Sequence, residues 1–168
     1  METAAENCID AKLIEFRPKD YQLLINWIDS DELNYLWGGP QFEYPLTIKQ
    51  LQQHYAQDKA LPFLFIVDNE AVGFIELYKV SDIEHRVCRV FIHPVHRGKS
   101  YGIIMLGLAI TRAKIKYQSK VLTLGVFAHN QSAIACYEQL GFKTYEIVSG
   151  LRFFNGKNWD LVRMSQSL

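Results

Sequence analysis

Two apolar runs at the centre of the chain, "LPFLFIVD" (residues 61–68) and "AVGFIELYKV" (residues 71–80), are joined through Asp68-Asn69-Glu70. A parallel pair of strands needs a crossover of a dozen or more residues, so a link this short makes the two runs an antiparallel hairpin. A sheet is thereby set at the middle of the molecule, and the remaining segments must extend or cover it. "IDAKLIEF" reads as a first strand. Pro18 then opens a helix at a position where its missing N–H costs nothing, and Leu24, Ile25, Trp27 and Ile28 form its apolar stripe. Thr47, with Gln50 three residues on, makes a capping-box start for a second helix reaching about Gln57. Between these helices "LNYLWGGPQFEYP" reads as a loop, broken by Gly38-Gly39-Pro40.

Beyond the hairpin, "HRVCRVFIHP" is a strand stopped by Pro94. A helix from about Ser100 to Tyr117 repeats apolar residues at Ile104, Leu108 and Ile115. "VLTLGVFA" is a strand, and "NQSAIACYEQLG" a helix with Asn130 as cap and Gly141 as left-handed stop. Asn155-Gly156, between "FKTYEIVSGLRFF" and "KNWDLVRMS", is a hairpin signal. The order β-α-α-β-β-β-α-β-α-β-β describes an α/β or α+β fold. No repeat, linker or low-complexity tract divides it, so residues 1–168 read as one domain.

Composition excludes several classes. A formal charge of zero argues against a nucleic-acid partner. Cys8, Cys88 and Cys136 are odd in number and widely spaced, which suggests neither a disulfide framework nor a metal pair. The acidic start lacks the apolar core of a signal peptide, and "IIMLGLAI" is too short to span a bilayer. A cytoplasmic protein with no membrane partner is expected. The zero net charge hides an asymmetry. Between Asp20 and Ile48 stand Asp20, Asp29, Asp31, Glu32 and Glu43 and no lysine or arginine, whereas Arg86 to Lys120 holds eight bases and no acid. Lys114, Lys116 and Lys120 suit a solvated face. The remainder suggest one ligand that carries phosphates and another that carries positive charge.

The stretch "VFIHPVHRGKSYG" contains Gly98-Lys99-Ser100, the ending of a nucleotide-binding P-loop. That motif needs glycine five positions before Gly98, where His93 stands, and a longer loop than Pro94 to Arg97. Nucleotide hydrolysis is therefore disfavoured. A strand, a short turn and a helix start still make an anion site, because free N–H groups and the positive dipole end face the ligand and Arg97 and Lys99 add charge. Further on, "NQSAIACYEQLGF" sets Asn130 and Tyr137 seven residues apart on one helix face, roughly 10 Å from each other.

These two stretches together resemble the GCN5-related N-acetyltransferase (GNAT) family: Arg97-Gly98-x-Ser100-x-Gly102 after a strand ending in Pro94, then Asn130…Ala133…Tyr137-Glu138-x-Leu140-Gly141-Phe142. The coarse element order agrees over essentially the whole chain. The resemblance implies a mixed, mostly antiparallel sheet with helices on both faces, and acetyl-CoA as co-substrate. It implies that Arg97, Gly98, Lys99, Ser100, Tyr101 and Gly102 bind the pyrophosphate. Free backbone groups of Phe91 and Ile92 would pair with the pantetheine arm, Asn130 would hydrogen-bond it, and Tyr137 would protonate the departing thiolate. Ser100 stands where the family usually has glycine, a cost of about 0.5–1 kcal/mol if its backbone is left-handed. The closing hairpin resembles that of ribosomal-protein N-terminal and spermidine acetyltransferases.

A general base is less evident. Glu76, placed on the opposite strand face from Phe74, is the first candidate, against the alternative of a solvated glutamate; His93 and His96 follow. His93-x-x-His96 with Cys88 fits no closed zinc site, so no metal is expected. Cys136 lacks a base partner for a nucleophilic role. Trp37, Phe42 and Tyr44 suit core or lid packing, but in this family the loop that holds them and Glu43 commonly lines the acceptor site, and with the acids around them they favour a cationic amine such as a polyamine, an aminoglycoside or a peptide N-terminus. A homodimer is also expected. The competing reading is a non-catalytic acyl-CoA-binding or sensor module on the same fold.

Overall fold

A computed structural model of the protein describes residues 8–168. Its centre is the hairpin of β2 (Ala60–Val67) and β3 (Glu70–Lys79), turned through Asp68 and Asn69, both at positive φ (48° and 67°). Two left-handed residues match the twist of the paired strands. Five more strands join them: β1 (Ala11–Glu15), β4 (Glu84–Ile92), β5 (Val121–Phe127), β6 (Lys143–Phe154) and β7 (Lys157–Ser167). The sheet runs β1-β2-β3-β4-β5-β7-β6, and only the β4–β5 pair is parallel. Along β2, Phe63 and Phe65 point to one face while Leu64 and Ile66 point to the other, so both faces carry a core.

Five helices cover these faces: α1 (Tyr21–Trp27), α2 (Asp31–Gly38), α3 (Ile48–Tyr55), α4 (Tyr101–Ile115) and α5 (Gln131–Gln139). The cluster around Met105, Leu106, Ala109 and Tyr137 seats α4 and α5 on one face, and Leu24, Trp37 and Leu51 seat α1, α2 and α3 on the other. Two sequence expectations need correction. The stretch read as a loop before Gly38 is the helix α2, started by Ser30, whose Oγ accepts from the Leu33 N–H at 3.1 Å, with Asp31 and Glu32 in its first turn. Those acids are placed where a helix N-terminus favours them. On α4 the fully buried residues are Met105, Leu106, Ala109 and Ala113, whereas Ile115 is 73% exposed. The helix is apolar nearly all round, and its small residues allow close approach to the sheet, so spacing alone did not select the buried stripe.

The sheet is irregular at one place that matters. Phe74 pairs with Phe91 and Glu76 with Cys88, so two β4 residues, Arg89 and Val90, oppose Ile75 alone. Arg89 takes φ +52° at this bulge. Pairing of β4 with β5 stops at Val87 and Leu124, and beyond these residues the two strands part. Gly73 permits the approach on the other side of β4, because a Cβ there would stand 2.6 Å from the Phe91 carbonyl oxygen and 2.8 Å from Ile92 Cδ1. Gly73→Ala should therefore cost about 1–3 kcal/mol and lower the melting temperature by roughly 2–4 °C per kcal/mol. Gly107→Ala, with nothing within 4 Å of the added methyl group, should raise it. Equal melting temperatures for the two variants would contradict the packing at Gly73.

Candidate active site

Where β4 and β5 part, two cavities open. The larger, about 550 Å³, is lined by Val90, Ile92, Arg97, Gly98, Ser100, Tyr101, Gly102 and, from α5, Asn130, Ala133 and Tyr137. Its floor is the start of α4. The N–H groups of Tyr101, Gly102 and Ile103 precede the first intrahelical bond, made by the Ile104 N–H to the Ser100 oxygen. Gly98 (φ +78°) and Ser100 (φ +60°) are both left-handed, which turns the chain tightly enough to gather these donors. The Ser100 side chain makes no cap bond, and so its hydroxyl is left to the cavity. Lys99, between Gly98 and Ser100, is exposed, its ammonium 5.9 Å from the Tyr101 ring.

On the strand side, the His93 N–H donates to the Val72 oxygen, which places the Phe91 backbone toward β3 and that of Ile92 toward the gap. The Ile92 carbonyl accepts from Arg97 Nε at 3.1 Å. Phe91 is thus corrected: its backbone groups are spent on β3 and its ring is buried in the opposite core, leaving Val90 and Ile92 as the residues that line the cavity.

The smaller cavity, about 240 Å³, lies between α2 and the end of the sheet. It is lined by Trp37 to Pro40, by Arg86 to Val90, by Gly125 to Phe127, and by Asn130, Tyr137, Arg152 and Leu161. Behind its wall is a polar network. Arg89 Nη1 donates to Glu76 Oε1 at 2.8 Å, Tyr55 donates to Glu76 Oε2 at 2.9 Å, and His54 Nε2 lies 3.1 Å from Oε1. The Arg89 guanidinium also stands 5.4 Å over the Phe42 ring, and the Trp37 indole donates to the Arg89 carbonyl at 3.0 Å. Burial, and then Glu76, push the Tyr55 phenol well above its ordinary range, so it stays a donor. Glu76 is fully buried, with three partners and no opening to either cavity. It also shares a strand face with Phe74, since residues two apart on a strand point the same way. The expectation of the opposite face is corrected, and so is the alternative of a solvated glutamate.

The other expected residues divide. Trp37 lines the smaller cavity; Phe42 is buried behind it at 5.5 Å, ring to ring. Glu43 and Tyr44 are exposed and line neither cavity; the Tyr44 hydroxyl donates to the Asp29 oxygen. His93 accepts from the Val95 N–H, and His96 lies 3.3 Å from Glu70, both at the turn beside the larger cavity. Among the described residues no three His, Cys, Asp or Glu side chains gather as a metal site, and no helix is long and apolar enough to cross a membrane. Leu36, Val90, Asn130 and Tyr137 line both cavities and mark their junction. Asn130 caps α5 with Oδ1, accepting from the Ala133 N–H at 3.4 Å, which leaves its amide N–H₂ to the junction. Burial first, then Cys136 and Cys88, hold the Tyr137 phenol far above its usual range.

Residues 22–142 match the acetyltransferase (GNAT) family. This chain belongs to that family. It is 33% identical over 94 residues to an uncharacterized N-acetyltransferase of Methanocaldococcus jannaschii, covering 52% of this chain and 41% of that protein. It is 29% identical over 123 residues to the mycothiol acetyltransferase of Corynebacterium efficiens, covering 71% of this chain and 40% of the other. The chain thus spans about two fifths of the length of these curated relatives. In fold it is similar to the spermidine N-acetyltransferase of Vibrio cholerae solved with CoA and spermine, at TM-score 0.82 and 21% identity, over 94% of this chain and 95% of that one.

Within this GNAT fold, Arg86, Arg89 and Arg152 line the smaller cavity without having been singled out in the sequence. Arginines inside an apolar strand were a usable signal for the first two. Arg152 had none, because its place depends on the β6–β7 hairpin folding back onto α2. Both cysteines at the cavities are held as thiols: burial pushes Cys136 up, and burial with Glu76 pushes Cys88 up to about 11. At pH 8 only about a thousandth of Cys88 is thiolate. Iodoacetamide should accordingly label Cys88 at least about a hundredfold more slowly than a free cysteine at that pH. Labelling at the free-thiol rate would contradict the buried environment.

Proposed function

We propose that this protein is an acetyl-CoA-dependent N-acetyltransferase that moves the acetyl group directly from the thioester to a primary amine. The observation that carries this reading is the meeting of two differently built cavities at Tyr137 and Asn130. The larger offers the α4 N-terminus, Arg97 and Lys99 to a pyrophosphate, with Gly98, Ser100, Tyr101 and Gly102 supplying backbone N–H groups. The free strand edge at Ile92 and the Asn130 amide suit the peptide-like arm. The smaller cavity admits the amine from the other side. On the same reading the chain acts as one domain over residues 1–168, in the cytoplasm. A homodimer is supported by the edge strand β6, whose Tyr145, Ile147, Leu151 and Phe153 are exposed.

The chemistry follows from what lines the junction. The amine nitrogen attacks the thioester carbonyl carbon, the C–N bond forms, and the C–S bond breaks with its electron pair passing to sulfur. Tyr137, kept protonated by burial, donates a hydrogen bond and then its proton to that sulfur, and the proton that the nitrogen sheds on becoming an amide returns through water to the phenolate. A cysteine-bound acetyl intermediate is disfavoured, since Cys88 and Cys136 are neutral thiols. Glu76 has no path to the amine. With neither carboxylate nor imidazole among the described residues that line the smaller cavity, the ammonium loses its proton to water. The acids behind the expected cationic acceptor, Asp29, Asp31, Glu32 and Glu43, are exposed away from this cavity.

Acetyl-CoA should raise the melting temperature more than ATP does, and Gly102→Glu should abolish the rise by setting a carboxylate into the larger cavity. Tyr137→Phe should keep that stabilisation yet lose kcat by roughly 10²- to 10⁴-fold. Wild-type kcat in this variant would remove Tyr137 from the mechanism. A wild-type protein that binds acetyl-CoA but turns over no amine would favour the acyl-CoA-binding module instead. The absence of a base gives an independent pH test. The ascending limb of kcat/KM should shift with the pKa of the amine when two acceptors of different basicity are compared. A limb fixed near one value for both amines would reveal a side-chain base.

A further inference from the structure

We infer that the acceptor amine carries an anionic group, a carboxylate or a phosphate, which Arg86, Arg89 and Arg152 bind on the wall of the smaller cavity. The inference rests on the acyl-transfer reading above and names the substrate class of that site. Arg86, Arg89 and Arg152 are among the residues that line the cavity, and no carboxylate-bearing residue is among its described lining residues. Glu76, behind the wall, neutralises Arg89 alone. Among the described residues Arg86 and Arg152 have no carboxylate within ion-pair distance, and the one hydrogen bond from Arg152 goes to the Leu151 carbonyl at 3.4 Å. Of the described arginines, Arg163 pairs with Glu146 at 2.7 Å and Arg17 with Glu15 at 3.2 Å, while Arg97 and Arg112, which lack acids, donate to the Ile92 and Leu13 carbonyls; Arg86 and Arg152 have neither an acid nor a carbonyl beyond the adjacent residue. Two unpaired guanidiniums beside a third thus mark an anion site rather than a general property of the surface.

The position of each arginine is built. Arg89 is fixed by Glu76, Phe42 and the Trp37 bond to its carbonyl, and its Nε is buried without a partner. A buried donor left without a protein partner calls for an ordered water or another polar group beside it. Arg152 is brought over the cavity by the β6–β7 hairpin. There Tyr35 of α2 stacks on Phe154 at 4.8 Å, and Trp159 lies 5.3 Å from Tyr35. Opposite Asp160, three β6 residues bulge out, and the Gly150 N–H donates to the Asp160 carboxylate at 2.8 Å, so the strand bends toward α2 just before Arg152. Arg86 sits six residues before Ile92 along β4, roughly 20 Å away. It is therefore remote from the loop that suits the pyrophosphate. A planar, forked donor matches carboxylate and phosphate oxygens, whereas a polyamine would meet like charge. The same positive wall favours the uncharged form of the nearby amine, which is the form that attacks.

The test compares amines with and without the anionic group, followed by CoA thiol release: serine and phosphoethanolamine against ethanolamine, phenylalanine against phenethylamine, lysine against cadaverine, with spermidine and spermine alongside. The anionic member of a pair should show at least about tenfold higher kcat/KM, and the serine and phosphoethanolamine arms distinguish carboxylate from phosphate. Arg86→Ala and Arg152→Ala, at positions exposed or half-buried and so tolerant of truncation, should each reduce that preference about tenfold through KM, with Arg152→Lys retaining part. A preference for cadaverine or spermidine, or one for anionic amines that survives both alanine variants, would overturn the inference while leaving acetyl transfer standing. A binding arm separates the two failures. N-acetylserine should stabilise the CoA complex more than N-acetylethanolamine, and Arg152→Ala should remove the difference. That result without turnover of any amine would sustain the anion site and sink acetyl transfer; no difference in wild type would sink the anion site.

Discussion

The extra residue in β4 is the feature on which the site depends. With Arg89 and Val90 opposite Ile75, the strand bends and its pairing with β5 ends at Val87 and Leu124. Both cavities lie in the gap where that pairing has ended. The bend holds an arginine in the left-handed region at φ +52°, a conformation that costs on the order of 1–3 kcal/mol for a residue with a side chain. What offsets this is local and specific. The indole of Trp37 takes the displaced carbonyl, Glu76 takes the guanidinium, and the Phe42 ring lies beneath it. The aromatic residues of α2 and the turn after it are thus the buttress of a strained strand.

This arrangement also explains a buried glutamate with no catalytic access. A carboxylate with no exposure requires partners, and Glu76 has Arg89, His54 and Tyr55. Its role is to hold Arg89 at the cavity wall, one layer away from the chemistry. The eight bases between Arg86 and Lys120 then separate into groups by location. Arg86 and Arg89 are among the residues lining the smaller cavity, Arg97 and Lys99 flank the start of α4, and Arg112 donates to the Leu13 carbonyl across the Phe63 ring. Lys114, Lys116 and Lys120 are exposed, as a solvated face requires. The acids between Asp29 and Glu43 separate similarly: Asp31 and Glu32 serve the start of α2, and none reaches a cavity.

Much of the frame was legible before any coordinates. The central hairpin, the Asn155-Gly156 turn, the caps at Thr47 and Asn130 and the strand-turn-helix at Pro94 to Gly102 are short-range signals, set by φ preferences and by hydrogen bonds within a few residues. Helix α2 was missed even though Ser30 with Asp31 and Glu32 spelled out its start, because Gly38-Gly39-Pro40 drew the whole stretch toward a loop. The buried face of α4 was misread for a different reason. A helix apolar on most sides has no unique stripe, and the small residues Ala109 and Ala113, not the large Ile115, face the sheet.

The sequence by itself determined the order of the strands and of every helix but α2, the strand-turn-helix before α4 and the helix face that joins Asn130 to Tyr137. Each is encoded within about ten residues, by period, caps and glycines. Only the tertiary structure decided which residues meet at the smaller cavity. No glycine announces the bulge at Arg89, and the fate of Glu76 depends on His54 and Tyr55 arriving from another helix. Arg152 reaches the cavity only through the packing of Tyr35 from α2 on the rings of Phe154 and Trp159 in the β6–β7 hairpin. Contacts between residues far apart in the chain are fixed by packing, and packing is settled only when the whole sheet and both of its faces are assembled.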